Sequence, residues 1–399
     1  MKGKRRSRAN NAAGRVISPE PISGRSSVAE LVERHFNAYN AARLREICEL
    51  FAAKLSKPDV VIGMSLAGAL TPAGLGASCI IPLIERGLVD WITTTGANCY
   101  HDLHFALGLP LRRGTMLVDD AELYDKGIVR IYDIMMDFRT LVKTDSFVTR
   151  LLAGEKFREP LPTSRINREL GLAAAAEEKR RGVENRSFLA AAAKCDVPVY
   201  IPSPGDSTIG MNFAALNVAG KSGNFDVIRD VNETSAIVLH AKTEVGKSAA
   251  IIWGGGAPKN FMLQTEPQLQ EILGFDIKGH DYFVQVTDAR PDTGGLSGAT
   301  PSEAVSWGKV DADMIPDTVV CYADTTIVMP LVVAYVVEKN LRRKPRRLYR
   351  MLDSLVETQA RKFRKGGRAR KGSRSVSETV RFLRSQIRDA EGKPRERKR

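Results

Sequence analysis

Short runs of β-branched and aromatic residues recur along the chain, and helical patterns separate several of them. Six such runs are evident: Asp59–Met64, Val89–Thr95, Val197–Ile201, Ser248–Trp253, Asp281–Val286 and Val319–Tyr322. Runs of this kind are typical of buried strands, and their alternation with helices is typical of a parallel sheet. We therefore predict an α/β fold in which helices cover both faces of a parallel sheet.

Glycine, serine, threonine or aspartate follows the carboxyl end of each run. In Rossmann-like sheets a ligand lies outside these strand ends, so the small and polar residues predict one shared site. Three consecutive glycines, Gly254–Gly256, follow one of the runs. They would permit either the close approach of a ligand to the backbone or a tight structural turn, and the residues alone leave both interpretations open.

Two segments end like a phosphate-binding loop, namely Gly220-Lys221-Ser222 and Gly246-Lys247-Ser248. Such a loop needs a further glycine upstream. Ala215 and Ala241 stand at the two required positions. The sequence therefore argues against an NTPase.

The net charge of +14 is carried by the two ends of the chain. Residues 1–25 hold a net +6 and residues 361–399 a net +12, which leaves −4 for residues 26–360. We predict a disordered basic tail over 1–25, one α/β domain over 26–360 and a mostly mobile basic tail over 361–399, with a short helix from Val376 to Ile387. Any binding to nucleic acid is expected through the tails only.

Two further segments have helical patterns. Apolar residues recur at helical spacing from Ser27 to Leu55, which predicts amphipathic helices at the start of the domain. The run Leu172–Lys179 is rich in strong helix formers and predicts a surface helix.

Cysteine usage and hydropathy bear on metal binding and on the compartment. The five cysteines are scattered without a CxxC pair, which predicts reduced thiols and no metal site. The sequence shows neither an apolar run long enough to span a bilayer nor a secretory signal, so a cytoplasmic location is predicted.

The segment Ser297–Lys309 has the strongest chemical character in the chain. Lys309 follows Trp307 and Gly308 within a stretch of small residues. Burial against the indole would lower the pKa of the amine and make it a nucleophile, whereas a solvated loop lysine is the alternative.

This segment resembles the deoxyhypusine synthase family. The resemblance is carried by Glu303–Lys309, which reads Glu-Ala-Val-Ser-Trp-Gly-Lys, and by Tyr322–Asp324. It extends over about residues 30–335, where Thr93–Asp102, Pro204–Gly210 and Gly254–Gly256 with Lys259 fall in the family's order.

The resemblance implies an NAD-dependent transferase. In the family, spermidine is oxidised and its aminobutyl group passes to a lysine as an imine, then to a lysine of a translation factor. Lys309 matches that catalytic lysine, Glu303 would hold an ammonium group, and Trp307 would pack on the methylene chain. Residues that resemble cofactor contacts are Thr94, Thr95, Asp206, Gly255, Thr287, Asp324 and Thr325. The family forms homotetramers with sites at a subunit interface, so a homotetramer is expected.

Several positions depart from the eukaryotic pattern of the family. Asn260 stands in place of a histidine, Tyr100 and His101 in place of two acidic residues, Met211 in place of another, and Ala69 in place of an asparagine. Asn260 and Tyr100 would then contact the substrate, and His101 could transfer protons.

These departures leave three functions open. The first is transfer to a protein lysine, and the second is transfer to a small amine such as putrescine, as in homospermidine synthesis. The third is a non-catalytic protein that associates with nucleic acid through its basic tails.

Overall fold

A parallel sheet forms the centre of the protein, for which we describe a computed structural model covering residues 16–221 and 223–365. Its six strands are β1 (Val60–Leu66), β2 (Trp91–Thr94), β6 (Val199–Tyr200), β7 (Lys247–Trp253), β8 (Tyr282–Thr287) and β9 (Thr318–Tyr322). They lie in the order β6-β2-β1-β7-β8-β9, and each neighbouring pair is parallel. In chain order this is the 3-2-1-4-5-6 arrangement of a Rossmann-like sheet, in which the order reverses between β1 and β7. The predicted parallel sheet is therefore confirmed.

A second, antiparallel sheet was not predicted. It contains β3 (Arg112–Arg113), β4 (Ile128–Ile131) and β5 (Ile134–Asp137), with β5 in the middle. Exposed arginines make up β3, and the residues of β4 are only partly buried. This sheet therefore lacks the continuous apolar run by which a buried strand is recognised.

Helices surround the parallel sheet. The α-helices of the described residues are α1 (Val28–Glu30), α2 (Tyr39–Leu50), α3 (Ile81–Glu85), α4 (Gly96–Ala106), α5 (Asp120–Asp125), α6 (Phe138–Leu152), α7 (Thr163–Arg181), α8 (Phe188–Cys195), α9 (Thr208–Val218), α10 (Val227–His240), α11 (Gly256–Leu263), α12 (Thr265–Pro267), α13 (Pro301–Ser306), α14 (Thr325–Glu338) and α15 (Leu352–Arg364). Turns of π-helix at Leu31–His35 and Phe51–Leu55 extend α1 and α2, which confirms the helical amino-terminal segment.

Two hydrophobic cores lie on opposite faces of the sheet. Successive residues of a strand point to opposite faces, so Ile62 joins one core and Val61 the other. The first core contains residues of α2, α8 and α14, and the second contains residues of α10 and α15. The prediction of helices on both faces is therefore confirmed.

Helix α7 contains the helix predicted over Leu172–Lys179, and one side of it is buried. Leu170, Gly171 and Ala174 are buried where α7 packs on α8. A Cβ added at Gly171 would lie 2.2 Å from the carbonyl oxygen of Leu189, so the two helix backbones are in close contact. The alanine-rich run is thus a packing surface on one side and solvent-exposed on the other.

The ends of the described chain bear on the predicted tails. Residues 16–25 form neither helix nor strand, whereas α15 continues to Arg364, beyond the predicted boundary at residue 360. Residues 1–15 and 366–399, with the predicted helix from Val376 to Ile387, lie outside the described residues. Within the described ranges, every helix is too short or too polar to cross a membrane.

The glycines of the two segments that resemble a phosphate-binding loop each lie just after a helix. Gly220 follows α9 with a φ of 67°, and Gly246 follows α10 and its π-helical extension with a φ of 138°. Glycine is favoured at such positions because it has no Cβ. Their role is therefore structural, in agreement with the sequence analysis.

A buried ion pair anchors the segment between α14 and α15 to the sheet. The Arg343 guanidinium donates to Asp90, and the two side chains are 5% and 0% exposed. Asp90 also accepts a hydrogen bond of 2.7 Å from the backbone N–H of Ile62 in β1. The Asp90 carboxylate thus connects the start of β2 with strand β1 and with the segment between α14 and α15.

Removal of this carboxylate should destabilise the protein strongly. We expect Asp90→Ala to lower the free energy of unfolding by about 3–5 kcal/mol, because Arg343 would keep a buried charge without its partner. Urea unfolding followed by circular dichroism would measure the loss.

Asp353→Ala is the matched control for this prediction. Asp353 pairs with Arg165 and Arg229, but its side chain is 73% exposed. An exposed pair of this kind contributes about 0–1 kcal/mol. Equal losses in the two variants would contradict the role assigned to Asp90.

Candidate active site

The turn after β7 brings two loops together at the carboxyl edge of the sheet. Gly254 and Gly256 have φ angles of 88° and 64°, which favour glycine. A Cβ at Gly255 would lie 2.5 Å from Ser297, and the Ser297 hydroxyl accepts a hydrogen bond of 3.0 Å from the Gly256 N–H. The structural turn predicted as one alternative therefore explains the three glycines.

Gln285 of β8 connects this turn to a buried lysine. Its Nε2 donates to the carbonyls of Gly254 and Ser297 at 2.9 and 2.8 Å, and its Oε1 accepts from Lys259 Nζ at 2.9 Å. Lys259 also donates to the carbonyl of Ala299 at 2.7 Å. Burial lowers the pKa of Lys259 to about 8. No local sequence pattern indicates the role of Gln285, since only the fold shows which groups it joins.

Lys309 lies in a cleft beside this network, with a volume of about 280 Å³. The residues that line the cleft are Lys259, Asn260, Leu263, Gln264, Leu296, Ala299, Glu303, Ala304, Trp307 and Lys309. The structure thus brings together four predicted site residues: Lys309, Glu303, Trp307 and Asn260. Lys309 is partly buried in this cleft, which favours the shielded lysine over the solvated loop lysine of the sequence analysis.

The cleft changes the basicity of Lys309. Burial lowers the pKa of its amine, while the carboxylates of Glu271 and Glu303 oppose that effect because they favour the charged form. Lys309 Nζ lies 5.4 Å from the centre of the Trp307 ring. Trp307 is 60% exposed but lines the same cleft, so the amine lies near the indole and is itself only partly buried.

The backbone of Lys309 is held on both sides. Its N–H donates to the carbonyl of Ala304 at 2.9 Å, and its own carbonyl accepts from the His280 N–H at 3.0 Å. The preceding carbonyl, of Gly308, accepts from Gln270 Nε2 at 2.8 Å. Gly308 has a φ of 70°, and a Cβ there would lie 2.8 Å from Gln270. The backbone conformation therefore favours the glycine of the Trp-Gly-Lys sequence, and a larger residue would also displace the Gln270 side chain.

Tyr100, His101 and Met211 do not line the Lys309 cleft. They line a second cleft of about 330 Å³, which shares no lining residue with the first. Tyr100 is almost fully buried and donates to Asp145 at 2.9 Å, and burial raises the pKa of the phenol. Within one chain, the predicted substrate contact of Tyr100 is thus separated from Lys309.

A hydrogen-bonded chain determines the tautomer of His101. The Thr144 hydroxyl donates to the Thr140 carbonyl at 2.9 Å, so its oxygen accepts from His104 Nδ1 at 2.8 Å. Burial lowers the pKa of His104 to about 3 and that of His101 to about 4, so both are neutral near pH 7. His104 Nε2 must then accept from His101 Nδ1 at 3.0 Å. His101 Nε2 is left without a proton and can accept one.

The predicted cofactor residues all lie at the carboxyl edge of the sheet, but their accessibility differs. Thr94 is fully buried, and its hydroxyl accepts from Asn98 Nδ2 at 3.1 Å, so its side chain has no surface for a ligand here. Thr95 is partly exposed, caps α4 and donates to the Gly68 carbonyl at 2.6 Å. Thr287 is 4% exposed, and its hydroxyl accepts from the Ala289 N–H.

The two carboxylates of this set are exposed. Asp324 follows β9 and caps α14 through a hydrogen bond of 2.6 Å from the Thr326 N–H. Asp206 lies in the turn after β6, and Thr325 is partly exposed beside Asp324. Gly255 is buried against Ser297. Exposed carboxylates at strand ends can accept hydrogen bonds from ribose hydroxyls.

The reversal of strand order marks where a dinucleotide would fit. Ligands of such sheets bind at the point where the strand order reverses, which here lies between β1 and β7. Gly68 follows β1 with a φ of 61°, and a Cβ there would meet nothing within 4 Å. The neighbouring Ala69 is partly buried. The open space beside Gly68 and the exposed carboxylates therefore fit a nucleotide, although the loop lacks the usual three-glycine pattern.

Known proteins are similar to this chain over most of its length. The deoxyhypusine synthase family profile matches residues 30–336. A "Deoxyhypusine synthase-like protein" from Nostoc punctiforme is 50% identical over 344 residues, which cover 86% of this chain and 88% of the relative. A "Probable deoxyhypusine synthase 2" from Methanosarcina mazei is 35% identical over 315 residues, which cover 79% and 88%.

A solved structure is similar in fold. It is described as a candidate deoxyhypusine synthase from Entamoeba histolytica, and it aligns with a TM-score of 0.51 at 15% identity, over 79% of this chain and 94% of its own. At that identity the likeness shows the fold alone, whereas the family profile and the sequence relatives show descent. The chain belongs to the deoxyhypusine synthase family.

Proposed function

We propose that this protein is an NAD-dependent transferase that moves the aminobutyl group of spermidine to an amine acceptor through an imine on Lys309. The observation that carries the proposal is a half-buried lysine with a lowered pKa, in a cleft lined by residues of α11 and α13 beside a Rossmann-like sheet. A neutral amine is the nucleophile that imine formation requires. The family's acceptor is a protein lysine, and that is the acceptor proposed first.

The residues of the cleft account for the transfer steps. When bound, NAD supplies oxidation by taking a hydride from the carbon beside the secondary amine of spermidine. The neutral Lys309 amine then attacks that carbon and expels 1,3-diaminopropane, which leaves the aminobutyl group on Lys309 as an imine. Attack by the acceptor amine would release Lys309 and leave the imine on the acceptor, and return of the hydride held by the cofactor would reduce it to the aminobutyl amine. Glu303 would bind the terminal ammonium, and Trp307 would contact the methylenes.

The cofactor is proposed to lie across the reversal of strand order. The exposed carboxylates of Asp324 and Asp206 would accept hydrogen bonds from ribose hydroxyls, and Thr95, Thr325 and Thr287 would contact the nucleotide near the strand ends. Gly255 would contribute backbone only. Thr94 would act indirectly, by orienting Asn98 and the start of α4.

Transfer to a small amine such as putrescine is the second candidate. It is favoured by the replacement of acidic residues, since Tyr100, His101 and Met211 line an apolar cleft that retains one carboxylate, Asp145. Incubation with NAD, spermidine and either putrescine or a candidate protein would separate the two by product mass. The absence of NADH formation with every amine tested would contradict both.

The nucleic-acid alternative concerns residues outside the described ranges, and that role and the cytoplasmic location remain predictions.

Assembly into a homotetramer is proposed to unite the two clefts. The resemblance to the family implies that Tyr100 and His101 lie beside the site that contains Lys309, yet the two clefts are separate in one chain. A subunit interface could bring the His101 cleft of one subunit to the Lys309 cleft of another. His101 Nε2 would then accept a proton during transfer.

Replacement of Lys309 should abolish the covalent intermediate. With NAD and spermidine present, borohydride should trap an aminobutyl adduct on Lys309 in the native protein and none in Lys309→Ala. Peptide mass spectrometry would identify the modified lysine, and NAD binding by calorimetry should be unchanged in the variant.

Lys278→Ala is the matched control for the trapping experiment. Lys278 has a 48% exposed side chain and pairs with Asp311 and Asp313. The control should trap as well as the native protein. An adduct on the neighbouring Lys259, or equal trapping in Lys309→Ala, would contradict the assignment of Lys309 as the lysine that forms the imine.

Neutralisation of Glu303 should change both pH dependence and amine binding. Its carboxylate raises the pKa of Lys309, so Glu303→Gln should increase the fraction of neutral amine and move the acid limb of labelling to lower pH. Reductive labelling of Lys309 with butanal and cyanoborohydride measures this without NAD. Spermidine should bind about tenfold more weakly, because a charge-assisted hydrogen bond is lost.

Glu155→Gln provides the comparison, since the Glu155 side chain is 87% exposed on the 3₁₀ turn after α6. It should leave both the labelling profile and spermidine binding unchanged. If the profile of Glu303→Gln coincided with that of the native protein, Glu303 would not act on Lys309.

Mixed assemblies test the proposed interface. Lys309→Ala and His101→Ala should each be inactive alone, but coexpressed subunits should recover roughly a quarter of native turnover, the statistical share of two-subunit sites with both residues intact. NADH formation would be measured on purified mixed tetramers. Mixtures that stay inactive would place both residues in one subunit's site, and an active His101→Ala would remove His101 from the mechanism.

A further inference from the structure

A basic segment connects α14 to α15 at the amino ends of β1 and β2, and the cavity that it lines shares no residue with the Lys309 cleft. Residues 342–347 read Arg-Arg-Lys-Pro-Arg-Arg. Pro58 precedes β1 and Asp90 precedes β2, and both lie next to this segment, at the amino ends of the strands. The segment is thus independent of the proposed transferase site.

The segment lines a cavity of about 390 Å³. Its lining residues are Pro58, His240, Arg343, Lys344, Pro345, Arg346, Leu348 and Met351. Three of them carry a fixed positive charge, and none of them is a carboxylate. The apolar members of the wall are two prolines, a leucine and a methionine.

Two guanidinium groups share one carboxylate beneath this cavity. Asp90 accepts from Arg343 and from the Ile62 N–H, while Arg346 Nε lies 3.7 Å from the same carboxylate. Arg346 donates to the backbone carbonyls of Pro58 and Val60 through Nη2, but its buried Nε has no hydrogen-bond partner. A buried donor without an acceptor is costly.

The nearby acidic groups do not balance this charge. Glu244 is paired with His240 and Lys362 at 3.2 and 3.1 Å, and Asp59 lies 3.8 Å from Lys247. Lys344 is exposed at the cavity. Asp90 is shared between Arg343 and Arg346, and Asp59 also favours the charged form of Arg346, so the three cations of the cavity wall face one buried carboxylate and one partly engaged by Lys247.

We propose that this cavity binds the phosphate group of a small phosphorylated molecule. A tetrahedral oxyanion would accept from the Arg346 guanidinium and from the Lys344 ammonium, and such charge-assisted hydrogen bonds are the strong ones. The organic part of the ligand would pack on Pro58, Pro345 and Met351. The volume exceeds that of the anion alone and leaves room for such a group.

Protection of Lys344 from acetylation tests the proposal on the full chain. Inorganic phosphate is the probe, an N-hydroxysuccinimide ester of acetate is the reagent, and peptide mass spectrometry reads each lysine separately. We expect saturating phosphate to slow acetylation of Lys344 by roughly tenfold, with a saturable dependence on concentration. Lys126, on the distant helix α5, should react at an unchanged rate.

Controls separate a built site from general screening by salt. Sodium chloride and sodium acetate at equal ionic strength should not protect Lys344, because neither supplies a tetrahedral oxyanion. In Arg346→Leu the phosphate protection should be lost, and Arg346→Lys should restore part of it. Equal protection by chloride, or equal slowing of Lys344 and Lys126, would overturn the proposal. If Arg346→Leu does not fold, the dependence of Lys344 acetylation on phosphate concentration in the native protein still tests the proposal.

Discussion

The candidate active site depends on the hydrogen bonds that the side-chain amide of Gln285 makes. Buried polar groups must find partners, and this amide finds three: the carbonyls of Gly254 and Ser297 and the ammonium of Lys259. Those groups belong to the turn after β7, the loop after β8 and helix α11. A single residue of the sheet therefore fixes the relative position of the segments that surround the cleft.

The same network sets the electrostatic character of the site. Lys259 and Lys309 line one cleft, and each charged amine disfavours a second charge nearby. Glu303 acts in the opposite direction on both. Glu271 adds to this effect on Lys309, so a loss of charge at Glu303 would favour the neutral form of both amines.

Much of the fold was predictable because buried parallel strands have a strong local signal. Val60–Leu66 and Lys247–Trp253 are almost continuous apolar runs, and the prediction matched them closely. The antiparallel sheet was missed because β3 has two exposed arginines and β4 is only partly buried. Lys309 and the neighbouring Trp307 were found from a motif, but the motif does not reveal that Glu271 also acts on the Lys309 amine. The chain of His101, His104 and Thr144 joins positions about 40 residues apart, which no local pattern reveals.

The exposure of Trp307 gives the site an optical property of its own. The chain has three tryptophans, and Trp91 and Trp253 are each 1% exposed, whereas Trp307 is 60% exposed. An aqueous quencher such as acrylamide can therefore reach one indole only. Emission from that indole reports on the mouth of the Lys309 cleft without any label, and a ligand that covers Trp307 would protect it from the quencher.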